Sequence, residues 1–380
     1  MKGLFYSSWL ILLGLLAGCI DPYMPDVISS PQSYLVVDGF LNSNGVTQIK
    51  LSRTYGLSGG TAAPKETRAT LYIEEETGTR YQLRESSATP GTYLSDALVL
   101  NPAVRHRLSF STATGQTYAS DYVTVKITPP IDSVTFRPEA DELKILVNTH
   151  DDRDASQYYR WEYEETWETR PLLTPELEYN KITDRLEPIT VYFPLVCWSN
   201  EKSANVNLSK TTNLNQDVVS NYVLRTLPAI ADRLYLKYSI LVHQYALTRE
   251  EYQYWELLRK NTESIGTLFD PLPSQLSGNL HNVSDSNELV IGYLGAHSMT
   301  EKRIFIRRAQ LPAEWRIQSG YDDCIPPNIL YFTAIRNLNN IFGTYSIIPL
   351  YQVPEGYAIT SKECVDCRLR GTDVRPAFWQ

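Results

Sequence analysis

Residues 34–41, Tyr34-Leu-Val-Val-Asp-Gly-Phe-Leu41, are followed by Asn42-Ser-Asn-Gly45 and then by Gln48-Ile-Lys-Leu-Ser-Arg-Thr-Tyr55. Two β-branched and aromatic runs around an Asn/Gly turn read as strand, turn, strand. The same grammar repeats downstream. Ala69–Glu75, Arg80–Arg84 and the run after Pro90-Gly91 are short strands, then Arg105–Thr112 and Thr117–Ile127, with Thr77-Gly78 and Thr114-Gly115 as turns. Short strands at that spacing predict a mainly β chain that opens with an immunoglobulin-like or fibronectin-like β-sandwich over residues 34–128. Thr128-Pro129-Pro130 closes it.

A second β-rich sandwich unit with one docked helix is expected over 129–380. Its strands are Asp132–Phe136, Leu143–Thr149, Tyr158–Trp167, Ile189–Trp198, Arg233–Leu247, Glu288–Gly295 and Lys302–Arg308. Along Tyr158–Trp167, Tyr159, Trp161 and Tyr163 share one face while Arg160, Glu162 and Glu164 share the other. The aromatic face suits either a buried sandwich interior or an exposed stacking platform for a ligand. The helix is predicted over 249–261. Thr248 is its N-cap and Glu251 completes a capping box, with Tyr252, Trp255 and Leu258 on one side.

Upstream, Leu4–Leu16 is an apolar run behind Lys2, too short for an ordinary membrane span of ~20 residues, and it ends in Leu16-Ala17-Gly18-Cys19. That is a lipobox: residues 1–18 form a lipoprotein signal peptide, and Cys19 receives acyl chains, palmitate among them. Two or more lipid signals anchor stably where one holds marginally. Residues 19–33, with three prolines, are the tether. The remainder is long enough for two or three domains of ~100–200 residues.

Acidic residues outnumber basic ones, 43 to 35, and the basic residues are dispersed, which argues against nucleic-acid binding. Tyr is abundant at 26 and Trp stands at 7, a usage that favours strands and also suits binding faces. Besides Cys19 there are Cys197, Cys324, Cys364 and Cys367, an even set for an exported chain. Structural disulfides are expected, in any of three connectivities. The Cys364-x-x-Cys367 spacing alone lacks the βαβ setting of a redox motif and the paired ligands of a zinc site.

No catalytic constellation, metal site or cofactor motif emerges. Gly56-Leu-Ser58-Gly-Gly60 has the nucleophile-elbow spacing but not its strand-to-helix context. His150-Asp-Asp-Arg-Asp154 lacks the glycine and the twelfth-position carboxylate of a calcium loop. His106, His243, His281 and His297 are isolated, and Lys302, Arg303, Arg307 and Arg308 read as a solvated face.

Taken together, these stretches resemble a family of outer-membrane lipoproteins of Bacteroidota, a domain of unknown function encoded beside TonB-dependent receptors. The likeness covers nearly the whole chain. It rests on the lipobox followed by Tyr34-Leu-Val-Val-Asp-Gly39, on Tyr158-Tyr-Arg-Trp161, and on Tyr238-Ser-Ile240 running into Thr248-Arg-Glu-Glu-Tyr-Gln-Tyr-Trp255. Phe269-Asp-Pro271 with Gly278-Asn279, Ile291-Gly-Tyr293, and Cys364-x-x-Cys367 with Pro376-x-Phe-Trp379 complete it. The resemblance implies a lipid-anchored protein on the outer membrane, facing outward, that serves a TonB-dependent receptor in nutrient uptake. It brings no catalytic residues and no ligand. The alternative from the residues is a structural envelope lipoprotein that bridges other proteins.

Overall fold

A computed structural model describes residues 33–55, 62–263 and 278–380 of the chain. The lipobox, Cys19, Ser58 and Phe269-Asp-Pro271 lie outside them. The described residues are mainly β, arranged as two sandwich-like units and a small third sheet.

In the first unit, Leu35–Asn42 pairs with Asn44–Arg53, and that strand with Thr92–Val99. A second layer holds Thr70–Glu75, Arg105–Ser111 and Thr117–Ser120. Arg80–Glu85 joins the layers, because its first half pairs with Thr70–Glu75 and its end with Thr92–Val99. Alternate residues fill the space between them, among them Leu35, Leu41, Ile49, Leu71, Ile73, Leu108 and Phe110. Gly39 is required here. Its φ is +138°, and a Cβ would stand 2.3 Å from the Gln48 carbonyl oxygen.

The first unit is discontinuous, which differs from the continuous segment 34–128 expected from sequence. The chain leaves at Thr128 and returns, so that Val290–Ile291 and Ala296–His297 pair in parallel with Leu35–Asn42 and Leu280–Asn282 pairs with Thr117–Ser120. Leu280, Val290, Leu294 and Ala296 complete the core. These pieces cover strand edges that would otherwise expose unpaired backbone. The outgoing and returning passes are tied together. The Thr128 amide donates to Ser298 Oγ at 2.9 Å, and the Ala246 amide to Thr128 Oγ1 at 3.0 Å.

The second unit packs a three-stranded sheet, ordered Val218–Pro228, Glu142–His150, Ile131–Pro138, on a sheet ordered Cys197–Lys202, Tyr158–Thr169, Lys237–Ala246, Met299–Arg307. Leu143, Ile145 and Val147 meet Tyr159, Trp161, Tyr238, Ile240 and Val242 in its core. The strand expected from Ile189 begins only at Cys197; Pro194, which has no N–H to give a ladder, lies in the intervening stretch. The strand expected from Arg233 opens instead as a short 3-10 turn, Asp232–Leu234, and becomes extended at Lys237.

The tail forms a third sheet of Asn328–Tyr331, Gly356–Ser361 and Ile347–Val353. Disulfides Cys197–Cys367 and Cys324–Cys364 staple it, which selects one of the three connectivities. Trp379 lies against Phe305 and Trp198, so the chain's end is folded onto the second unit.

Candidate functional site

A groove of about 490 Å³ runs between the two sandwich units. That volume is in the range of small-molecule sites. One wall is the first unit's strand pair, with Asp38, Phe40, Gln48 and Lys50; the other is the charged face of Tyr158–Thr169 and its neighbour Lys237–Ala246. Register sets the second wall. Arg160 lies directly across from Tyr245 and Glu162 across from His243, so the charged face of this strand lines the groove.

The helix Arg249–Glu263 closes one side. Thr248 caps it by accepting the Glu251 amide at 3.2 Å. The return arm of the expected capping box does not form. Glu251 instead turns its carboxylate inward to 3.4 Å from His297 Nε2, and both side chains are buried. Gly295 leaves the space for it, since a Cβ there would stand 2.2 Å from that carboxylate. His297 stacks on Phe40 at 4.3 Å, and Tyr254 of the helix faces Tyr293 at 5.3 Å. The helix is thus a wedge between the units, with Glu251 and Tyr254 on the first and Tyr252 and Trp255 on the second.

At the groove's floor Arg160 is only 7% exposed. Its guanidinium carbon lies over two rings, 4.6 Å from the Tyr245 centroid and 4.1 Å from that of Trp255. These two cation–π contacts restrain it. Nη1 donates to Glu162 Oε1 at 2.5 Å, and Glu162 Oε2 accepts from the Tyr245 hydroxyl at 3.0 Å. Desolvation disfavours the Glu162 carboxylate, but Arg160 and the Tyr245 hydroxyl outweigh it and hold its pKa below the usual range. Burial pushes the His243 imidazole down, against the pull of Glu164, Glu301 and Glu162. Burial also moves Tyr293 up to about 12. At neutral pH the site therefore presents Glu162 as an anion and His243 uncharged. Arg160 Nε, Trp255 Nε1 and Glu251 Oε2 are buried without a hydrogen-bond partner among the described residues.

The residues singled out from sequence fall elsewhere. Tyr159 and Trp161 are wholly buried, and Tyr163 is 5% exposed. Trp161 Nε1 donates to Gln244 Oε1 at 2.8 Å, and the Tyr159 hydroxyl to Asp217 Oδ2 at 2.8 Å. The exposed stacking platform is thereby corrected to a core face, and only Tyr163 reaches the groove's lining. Cys197, Cys324, Cys364 and Cys367 are all in disulfides, remote from the groove in role. In the His150–Asp154 turn, Asp151 accepts the Arg153 amide and Asp154 accepts the Asp217 amide, so local backbone uses these carboxylates. Lys302 and Arg308 are spent on main-chain carbonyls rather than forming a free basic face. Sequence reasoning missed Arg160 as a site residue. The available signal was a lone arginine on the strand face opposite three aromatics, followed downstream by a tryptophan on the docking side of the helix.

A second concavity of about 530 Å³ lies in the tail region, with mainly apolar walls including Tyr179, Ile182, Phe193, Phe342 and Ile348.

A family model described as a domain of unknown function, DUF4249, matches residues 20–303, and the chain belongs to that family. The matched stretch contains every residue that lines the inter-unit groove, whereas part of the tail concavity falls beyond it. A search of curated proteins found no match.

Proposed function

We propose that this member of the DUF4249 family is an outer-membrane lipoprotein, anchored through acyl chains on Cys19 and facing outward, that captures a ligand as the non-catalytic accessory of a TonB-dependent receptor in nutrient uptake. The observation that carries the capture role is the inter-unit groove, a concavity lined by aromatic rings around a clamped and buried arginine. The groove is about half polar, with aromatic rings beside placed charged groups, and a concavity of this volume suits a small ligand. The lipobox supports anchoring, and the two disulfides support export to an oxidising compartment. The receptor partnership draws on the resemblance to lipoproteins encoded beside such receptors. A purely bridging role would not call for a concave, aromatic-lined site.

The test is purification of the acylated protein from its native outer membrane in mild detergent, followed by identification of what accompanies it. A stoichiometric TonB-dependent barrel is the expected result. Recovery of the lipoprotein as a free monomer would overturn the partnership. A Cys19→Ala variant recovered in the membrane fraction, rather than released, would overturn the anchor.

A further inference from the structure

Resting on the capture reading, we infer that the groove recognises an organic carboxylate flanked by an N–H donor, the chemistry of a peptide's carboxyl terminus or an N-acylated amino acid. The argument begins with Arg160. Its guanidinium carbon lies over the Tyr245 and Trp255 rings, 4.6 and 4.1 Å from their centroids, which directs hydrogen bonding to the edges of the plane. Glu162 takes Nη1, which leaves the opposite edge of Nε and Nη2, and Nε is buried with no partner among the described residues. A guanidinium edge is a two-pronged donor that matches the two oxygens of a carboxylate. An unmet buried donor of this kind carries a desolvation penalty that a ligand relieves.

Trp255 adds a second unmet donor beside the first. Its Nε1 is buried and unpartnered, and its ring is the one that covers Arg160. Two donors without acceptors at the same wall select a ligand rich in acceptors. Glu251 supplies the complementary group. It is 2% exposed, lines the same groove, and keeps Oε2 unpartnered while Oε1 faces His297. A carboxylate oxygen of this kind takes an N–H from the ligand.

Three of the four carboxylates that line the groove are matched by a cation, Asp38 by Lys50 at 3.4 Å, Glu164 by Lys202 at 2.7 Å and Glu162 by Arg160, and the fourth, Glu251, is the one left for the ligand's N–H. Phe40, Tyr245, Trp255 and Tyr293 then provide apolar wall for the residue's side chain.

The experiment uses the full-length acylated protein in detergent and titrates four probes by calorimetry: N-acetylphenylalanine, its carboxamide, 3-phenylpropanoate and inorganic phosphate. Acid is expected to bind about tenfold or more tighter than carboxamide, the loss of one charge-assisted pair. Phenylpropanoate, which lacks the N–H, falls between them, and phosphate alone binds weakest. Arg160→Lys keeps the charge but removes the fork, and erases the preference for acid over carboxamide. Trp255→Phe keeps the ring and removes the donor, weakening the acid about threefold to tenfold. Equal affinity for acid and carboxamide, or no binding of either, overturns the inference. So does an Arg160→Lys protein that is folded by circular dichroism and keeps the preference. Should that variant fail to fold, the comparison of acid with carboxamide on the wild-type chain decides alone. Co-purification of a receptor barrel is read separately, so the capture partnership stands or falls on its own result.

Discussion

Replacing Trp161 by Phe separates a core role from a ligand-binding role for the aromatic strand face. Trp161 is fully buried, stacked 4.6 Å from Tyr222 and 5.8 Å from Tyr159, and its indole donates to Gln244 Oε1 at 2.8 Å. Gln244 is itself buried and fixed from its other end, where Nε2 donates to the Pro129 carbonyl and to Thr149 Oγ1, both at 2.9 Å. It cannot swing to find a new donor. Phe therefore leaves the Gln244 oxygen unmet, at roughly 1–3 kcal/mol. The smaller ring also leaves a void, worth about 1–2 kcal/mol on the scale of large-to-small core substitutions. The sum is about 2–5 kcal/mol. At about 2–4 °C per kcal/mol for a domain of this size, the unfolding midpoint should fall by roughly 4–20 °C. Scanning calorimetry and urea titration on the full chain measure it, with Trp255→Phe as the control, since that indole N–H has no partner to abandon. A Trp161→Phe midpoint within about 1 °C of wild type, together with loss of ligand binding, would refute the placement of Trp161 in the core.

Gly295→Ala puts a methyl into the Glu251 carboxylate and should destabilise the chain by about 1–3 kcal/mol, read as a lower urea midpoint; an unchanged midpoint would mean the helix does not seat there. Thr248→Ala removes the N-cap acceptor and should cost about 1 kcal/mol, with reduced protection of the Glu251 amide in hydrogen exchange. His106 is fully buried, and burial pushes its pKa below the ordinary value despite Glu75 at 3.8 Å. The unfolded imidazole binds a proton near pH 6.5 that the folded one refuses, so its contribution is complete above about pH 6.5 and is lost as the pH falls below it. His106→Leu should flatten the decline in urea midpoint between about pH 7.5 and 5.5; an identical decline would assign it to other groups. Loss of Cys197–Cys367 opens a connection spanning 170 residues and that of Cys324–Cys364 one of 40, so the Cys197→Ala/Cys367→Ala variant should lose more stability, by about 1 kcal/mol, than the other pair removed.

The strands that alternate cleanly were legible in the sequence because one face of each is buried. Arg105–Ser111 alternates throughout, and Tyr158–Thr169 divides its aromatics from its charges over its first half. Val218–Pro228 was not legible. Asn221 takes a φ of +51°, and the ladder to Glu142–His150 shifts register twice, so the alternation is broken where a pattern would be sought. The returning pieces of the first unit were misplaced for another reason, since the strand expected over Glu288–Gly295 was given to the second unit and only Val290–Ile291 of it is extended, in the first. Val290–Ile291 and Ala296–His297 are two residues each, too short for any periodicity, and they are strands only because Leu35–Asn42 is there to pair with. The site suffered from the same limit. Sequence placed Arg160, Glu162, Tyr245 and Trp255 on the correct elements, and Arg160 with Glu162 on one face, but nothing local says that another unit covers that face.

That cover follows from the chain's return. Had residues 279–297 stayed with the second unit, the contact between units would rest on the outgoing strand at Thr128 alone, a single hinge. Instead two passes cross side by side, joined by the Thr128 and Ser298 hydrogen bonds and by the Ala246 amide on Thr128. The helix wedges against both units through Glu251 with His297 on one side and Tyr252 with Tyr158 on the other. Two covalent crossings and a wedge resist the rotation that a single linker permits. Arg160, from one unit, and Phe40, from the other, are consequently held at their distance before any ligand arrives. A groove whose walls are fixed in advance loses little side-chain and domain freedom on binding, which is how a modest set of contacts yields useful affinity. The interrupted first unit and the binding groove are thus consequences of one feature, the passage of the chain back through 279–297.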